Sequence, residues 1–130
     1  MITQIALGSA VYIVPTFLLA YFWHLKWFKK QYDIWGYAGG NPSPPLGLAS
    51  MIVQGVVLSG LYAWAPIDHQ SVGSAFLFIG TLALFHWSTH VIAAMAKNPK
   101  LRNLKYLTVE TFFLMLQFGI YATLLSSVVY

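Results

Sequence analysis

Residues 82–94 read LALFHWSTHVIAA, an apolar segment that carries two histidines, His86 and His90, four positions apart. On an α-helix this spacing places both imidazoles on one face, about one turn apart. Ionisable side chains are costly in lipid, and in membrane helices they usually face the interior of a bundle. The segment therefore predicts a membrane helix and marks both histidines as candidate functional residues. A neutral histidine can equally serve as a hydrogen-bond link between helices.

The composition predicts an integral membrane protein. Of the 130 residues, 58% are hydrophobic and only 8% are charged, whereas a soluble domain carries about 25% charged residues. The length allows about four spans of about 20 residues each, and zero cysteines exclude a disulfide framework and a thiolate metal site. The sequence predicts one all-α domain over residues 1–130, a bundle of four transmembrane helices with spans at about 2–24, 46–64, 73–95 and 107–129.

The positive charges predict the orientation of this bundle. All seven Lys and Arg residues fall in two short segments, Lys26–Lys30 and Lys97–Lys105. Such clusters are typical of cytoplasmic loops. We therefore expect the loops at 25–45 and 96–106 to be cytoplasmic and both termini to lie outside. Because the charges are confined in this way, the net charge of +4 does not indicate nucleic-acid binding.

A short amphipathic stretch, KWFKKQYDIWGY at 26–37, follows the first span. Its aromatic residues fall on one helical stripe and its lysines on the other side, which predicts an interfacial helix anchored in lipid headgroups. A docking surface for a partner protein is the alternative. The segment at 36–45, GYAGGNPSPP, breaks the helix. The predicted lipid-interface residues are Lys26, Trp27, Phe28, Lys29, Lys30, Tyr32 and Trp35.

Every strongly polar side chain within the predicted spans falls in the cytoplasmic half of the membrane. Counting about 1.5 Å per helical residue, we expect His24, His90 and Glu110 to converge near the inner end of the bundle. His86, Gln54 and Gln117 lie about 12–14 Å deep and form a predicted second tier. These six residues constitute the predicted intramembrane polar cluster, because leaving any of them in contact with lipid is costly.

This cluster has three chemical interpretations. His86 and His90 form a good chelating pair, and Glu110 with His24 could complete a divalent-metal site. A b-type haem would instead take one axial histidine, or two from different helices, such as His24 with His86 or His90. Glu110 and His90 could exchange a proton along a pathway, which would favour a homo-oligomer because four short helices rarely enclose one alone. Finally, the polar groups could simply cross-link helices.

Three short motifs resemble those of small bacterial four-helix membrane proteins with a domain of unknown function. They are WHL at the end of the first span, QG in the second, and a Glu followed by QF in the fourth. This resemblance covers most of the chain. It implies a bacterial inner membrane and the polar set His24, Gln54, Glu110 and Gln117, and it implies no particular activity.

The sequence favours a non-enzymatic role, since no nucleophile, base and orienting group stand at a known catalytic spacing and no catalytic residue is predicted. We expect an accessory or structural subunit that packs against other membrane proteins or against itself, surrounded by lipid. Proton or small-solute passage by a homo-oligomer is the first alternative. A metal- or haem-binding protein that uses the histidines is the second.

Overall fold

The computed structural model describes residues 1–37 and 42–130. Helices make up most of this part of the chain, and no strand occurs in it, which confirms the all-α prediction. The α-helices are α1 (Ile2–Phe22), α2 (Lys29–Trp35), α3 (Pro44–Trp64), α4 (Val72–Trp87), α5 (Ala93–Lys97) and α6 (Leu104–Leu124). Short π-helical turns continue three of these helices, at Trp23–Trp27, Ser88–Ile92 and Leu125–Val129, and a 3-10 turn lies at Pro99–Leu101.

Four helical segments are long and apolar enough to cross a membrane, as predicted from the sequence. They are Ile2–Trp27, Pro44–Trp64, Val72–Lys97 and Leu104–Val129. Their ends lie within a few residues of the predicted ones, because hydropathy and local capping signals coincide. Asn103, for example, caps α6 by accepting a 2.8 Å hydrogen bond from the backbone N–H of Tyr106.

The central helices of the bundle are α1 and α6. Helix α1 packs along α3 and also contacts α6, and α6 packs along α4, whereas α3 and α4 meet at few positions. Small residues permit the close crossing of α1 and α3. A Cβ on Gly55 would lie 3.3 Å from the carbonyl oxygen of Ser9 and 3.3 Å from Cδ1 of Tyr12. The helices can therefore approach only because these positions lack large side chains.

Both basic segments lie at one end of the bundle, which we call the basic end. The first long helix finishes there beside the start of α6, as the contacts between His24 and Glu110 show. The third long helix finishes there too, since His90 also contacts Glu110. Arg102 closes the turn into α6 by donating hydrogen bonds to the carbonyl oxygens of Met95 and Ala96, at 2.9 and 2.7 Å.

The predicted interfacial helix is shorter than expected. Lys26 and Trp27 belong to the π-helical turn that ends the first long helix, and α2 starts only after Phe28, whose φ of −116° interrupts the helix. Gly36, with a φ of +64°, ends α2 in a left-handed conformation that favours glycine. The predicted breaker segment at 36–45 lies partly outside the described residues, which omit 38–41.

Two aromatic residues of the predicted lipid-interface helix are buried. Tyr32 and Trp35 are only 4% and 6% exposed and pack into the bundle. The interruption at Phe28 is the physical reason, because α2 does not continue the helical phase of Trp27, which is 63% exposed. Phe28 is half-buried, with its ring centroid 4.7 Å from that of Trp23. The three lysines Lys26, Lys29 and Lys30 are exposed.

Candidate functional site

Glu110 is completely buried two turns into α6, and side chains from three other segments surround its carboxylate. Nε2 of His90 lies 2.9 Å from one carboxylate oxygen, and Nε2 of His24 lies 3.9 Å from the other. The hydroxyl of Tyr32 donates a hydrogen bond to the oxygen that faces His24. The hydroxyl of Tyr37 lies 3.4 Å from the first oxygen and 3.1 Å from Nε2 of His90. We call these five residues the Glu110 cluster.

Both histidines of the cluster lie in π-helical turns. His24 belongs to Trp23–Trp27 and His90 to Ser88–Ile92, where the wider turn changes which face of the helix each residue occupies. Nδ1 of His24 lies 3.0 Å from the carbonyl oxygen of Ala20, so this nitrogen carries a hydrogen. Nε2 is therefore the atom that His24 presents to the carboxylate of Glu110. The structure thus brings His24, His90 and Glu110 together at the basic end.

Tyr32 and Tyr37 complete the cluster from outside the four long helices. Burial, followed by the charge of the nearby Glu110 carboxylate, raises the pKa of both phenols well above the usual value of a tyrosine. Both hydroxyls therefore stay protonated near neutral pH and can donate to the carboxylate. A buried carboxylate requires such partners, since leaving it unpaired is strongly unfavourable. Helix α2 thereby becomes attached to the bundle.

Three buried polar atoms beside the cluster have no hydrogen-bond partner among residues 1–37 and 42–130. They are Nε1 of Trp23, Nε2 of His24 and the hydroxyl of Tyr106. Tyr106 is 0% exposed and Trp23 is 8% exposed. Buried polar groups normally bind protein or ordered water, and water commonly satisfies such groups. The surroundings of Glu110 therefore have hydrogen-bonding capacity beyond the contacts within the Glu110 cluster.

Deeper in the bundle, the hydroxyl of Tyr12 joins the two glutamines. It donates a 2.5 Å hydrogen bond to Oε1 of Gln54 and accepts a 2.6 Å hydrogen bond from Nε2 of Gln117. Gln54 also donates to Oγ of Ser50 at 2.9 Å. This Tyr12 bridge links α1, α3 and α6. Sequence reasoning placed Gln54 and Gln117 at a similar depth but missed Tyr12. A tyrosine within an apolar span does not stand out in the hydropathy of the sequence.

His86 does not take part in this bridge, contrary to the predicted second tier. Its imidazole instead stacks on that of His90, with ring centroids 5.2 Å apart and an interplanar angle of 15°. On its other side, the ring of Phe118 lies 5.5 Å away. The deeper tier is therefore Gln54, Tyr12 and Gln117, and His86 extends the Glu110 cluster along α4.

The contacts of the histidines bear on the metal and haem interpretations of the cluster. Among the described residues, no group of three or more His, Asp or Glu side chains could hold a metal ion. His90 uses Nε2 to bind Glu110, and its ring lies parallel to that of His86, so the two do not form a chelating pair. The ring of Tyr37 stacks on that of His24, with centroids 5.4 Å apart, and contacts His90 edge-on at 6.2 Å.

Replacing Tyr12 with phenylalanine should cause a small, measurable loss of stability. The change removes the hydroxyl that pairs with both glutamines, and hydrogen bonds within membrane proteins contribute about 0.6 kcal/mol each on average. We therefore expect a loss of about 1 kcal/mol in a reversible unfolding titration in mixed micelles. Tyr21→Phe is the matched control, since Tyr21 is 40% exposed. Equal stabilities of the two variants would contradict a structural role for the Tyr12 bridge.

The fold and site define an all-helical chain with four span-length helices, linked internally by a buried carboxylate and a buried tyrosine. No protein-family model, curated protein or solved structure matches the sequence or the fold of this chain. Its function is therefore inferred from the geometry of its own residues.

Proposed function

We propose that the chain is an integral membrane protein of a bacterial inner membrane, with its basic end in the cytoplasm and both termini outside. Four helices of span length and the placement of every Lys and Arg at one end support this orientation. Reporter fusions at each terminus test it: both should report the periplasmic side. A cytoplasmic signal from either terminus would overturn the topology.

Within that membrane we propose a non-enzymatic, accessory role, in which the chain packs against a transmembrane helix of a larger complex. The observation that carries this proposal is an apolar groove of about 420 Å³ between α4 and α6. Small residues line it on both helices, and such residues let a further helix approach closely. The groove is lined by Phe76, Gly80, Ala83, Leu84, Trp87, Thr111, Leu114, Met115, Phe118, Gly119 and Ala122.

The internal polar contacts support the same role. The Glu110 cluster and the Tyr12 bridge are built from side chains of this chain alone, and they fix the helices against one another. A carboxylate that binds two tyrosines and a histidine holds a bundle in one arrangement. A bundle held in this way can present a constant surface to a partner helix.

Substituting leucine for Gly80 or Gly119 tests the groove. An added Cβ at either glycine meets no atom of the chain within 4 Å, so the leucine should fill the groove without disturbing the fold. Gly47→Leu is the matched control, because Gly47 is equally open but lies outside the groove. After extraction from native membranes in nanodiscs, we expect the wild type and Gly47→Leu to have the mass of a complex. Gly80→Leu should have the mass of the isolated chain.

Two results would refute the accessory role. One is a wild-type protein that leaves native membranes as an isolated chain or a homodimer. The other is a complex whose mass is unchanged by leucine at Gly80 and at Gly119.

Proton passage is the second candidate, and the burial of Glu110 beside two histidines favours it. Glu110 lies within reach of His24 and His90, and His24 still has an unpartnered Nε2 among the described residues. In proteoliposomes that contain a pH-sensitive dye, this function requires proton flux that Glu110→Gln abolishes while the protein stays folded. Proton passage would be refuted if liposomes with the wild type, liposomes with Glu110→Gln and empty liposomes all showed the same proton flux.

A further inference from the structure

His24 is half-buried at the basic end, and one of its ring nitrogens faces the carboxylate of Glu110 without a hydrogen bond among the described residues. Nδ1 lies 3.0 Å from the carbonyl oxygen of Ala20 and carries a hydrogen, because a carbonyl oxygen can only accept. Nε2 lies 3.9 Å from one carboxylate oxygen, beyond the usual N–H···O range of about 2.7–3.2 Å. This geometry matches a neutral His24, in which Nε2 holds a lone pair.

One added proton changes the interaction between His24 and Glu110. An ionised carboxylate only accepts hydrogen bonds, so it repels the lone pair of a neutral Nε2 and attracts the N–H of an imidazolium. Charge-assisted hydrogen bonds of this type are about 2.7–2.9 Å long, so a movement of about 1 Å would form one. Nε2 of His90 already binds the other carboxylate oxygen at 2.9 Å. The oxygen near His24 is therefore shared with the hydroxyl of Tyr32 alone among the described hydrogen bonds.

The ring of His24 also contacts the two tyrosines that attach residues 32–37 to the bundle. Its centroid lies 4.4 Å from that of Tyr32 and 5.4 Å from that of Tyr37, and the ring of Tyr37 is stacked on it at 19°. A cation within about 6 Å of an aromatic ring is attracted to the π electrons of that ring. A positive charge on His24 therefore strengthens its contacts with Glu110, Tyr32 and Tyr37 together.

The other charged groups near His24 do not compensate such a charge. Lys29 and Asp33 pair with each other at 2.5 Å on α2, and both side chains are more than half exposed. Lys26, on the same turn as His24, is exposed as well. Glu110 is therefore the buried group that responds to a proton on His24. The titratable and charged side chains on the elements around His24 are Lys26, Lys29, Tyr32, Asp33, Tyr37, His90, Tyr106 and Glu110.

We propose that Nε2 of His24 is a proton-binding site at the basic end, and that the bound proton holds residues 32–37 more tightly against the bundle. The side chain of His24 is 17% exposed, so a proton can reach it from that end. Histidine side chains change charge between about pH 5 and 8, and we therefore expect tighter attachment at the lower pH.

This proton site does not depend on the accessory role or on proton passage. His24, Tyr32 and Tyr37 do not line the groove between α4 and α6. The proton also enters and leaves His24 at the same end of the bundle, so no proton needs to cross the membrane.

Electron paramagnetic resonance of a single spin label on α2 tests the proposal. The sequence contains no cysteine, so Ile34→Cys carries one label, at a position that is 64% exposed. In nanodiscs, the ratio of mobile to immobile label should rise about ten-fold between about pH 5 and 8, as for the loss of one charge-assisted hydrogen bond. Leu104→Cys is the control label, since Leu104 is 77% exposed at the start of α6. Its mobility should not change with pH.

Two substitutions assign the response to His24. His24→Gln replaces the imidazole with an amide that donates at every pH in this range, so the α2 label should be equally immobile at both values. Glu110→Gln removes the negative charge that attracts the imidazolium and should also abolish the response. His69→Gln is the matched control, because His69 lies in the connection between α3 and α4, at the other end of the bundle. It should keep the response of the wild type.

Two results would overturn the proposal. One is an α2 label whose mobility is the same at both pH values in the wild type. The other is a wild-type response that persists in folded His24→Gln or in folded Glu110→Gln, with helicity as the measure of folding. A pH response of α2 in a protein without proton flux would refute proton passage and support the proton site.

Discussion

Replacing Glu110 with alanine is expected to destabilise the bundle by about 3 kcal/mol, because each hydrogen-bond donor left without its acceptor costs about 1–3 kcal/mol. The carboxylate is 0% exposed, and its loss leaves the buried hydroxyl of Tyr32 and the half-buried imidazole of His90 without their acceptor. Unfolding titrations in mixed micelles should show this loss as a lower midpoint. Because Tyr32 attaches α2 to the bundle, cleavage by protease at Lys29 or Lys30 should also become faster.

Two variants make the Glu110 experiment specific. Glu110→Gln keeps an oxygen that can accept from Tyr32, so its stability should lie between those of the alanine variant and the wild type. Phe112→Ala is the control on the same helix, because Phe112 is 56% exposed and its truncation removes little buried contact within the bundle. A Glu110→Ala protein as stable as Phe112→Ala would show that the Glu110 cluster does not hold the helices together.

The second large effect is expected at the crossing of α1 and α3. In Gly8→Leu, the new Cβ would lie 2.7 Å from Oγ of Ser59 and 3.2 Å from Cδ1 of Leu125. Neither neighbour can move far, since Ser59 is 2% exposed and its hydroxyl pairs with that of Tyr121 at 2.9 Å. Overpacking of this kind costs about 1–3 kcal/mol. The unfolding midpoint should fall accordingly.

A double-mutant cycle separates the steric clash from a general effect of leucine in α1. Adding Ser59→Gly to Gly8→Leu removes the clashing atoms, so the double variant should be more stable than the sum of the single effects predicts. Gly47→Ala serves as the control on α3, because its Cβ meets nothing within 4 Å. Additive effects at Gly8 and Ser59 would contradict the close crossing of α1 and α3.

Hydropathy and charge in the sequence were sufficient to predict the four long helices. Each span of about 20 apolar residues must satisfy its own backbone hydrogen bonds, so its helical structure is decided locally. The basic segments at 26–30 and 97–105 mark where two of these helices end. The distance of a residue from the end of its helix also follows from the sequence, because each residue adds about 1.5 Å. For this reason the approach of His24, His90 and Glu110 to one another could be predicted from their positions in the chain.

Tertiary structure alone decided which side chains turn inward. A periodicity of 3.6 residues assumes one continuous helical phase, but Phe28 interrupts that phase before α2. Tyr32 and Trp35 are consequently buried instead of facing lipid.

The Tyr12 bridge also depends on how the helices pack. Tyr12 joins Gln54 to Gln117 because three helices place these side chains within hydrogen-bonding distance, and no spacing along the chain encodes that contact. The sequence determined the helices and the depth of each polar group, since both follow from local hydropathy and helical rise. Contacts between helices required the tertiary structure, because they depend on crossing geometry and helical phase.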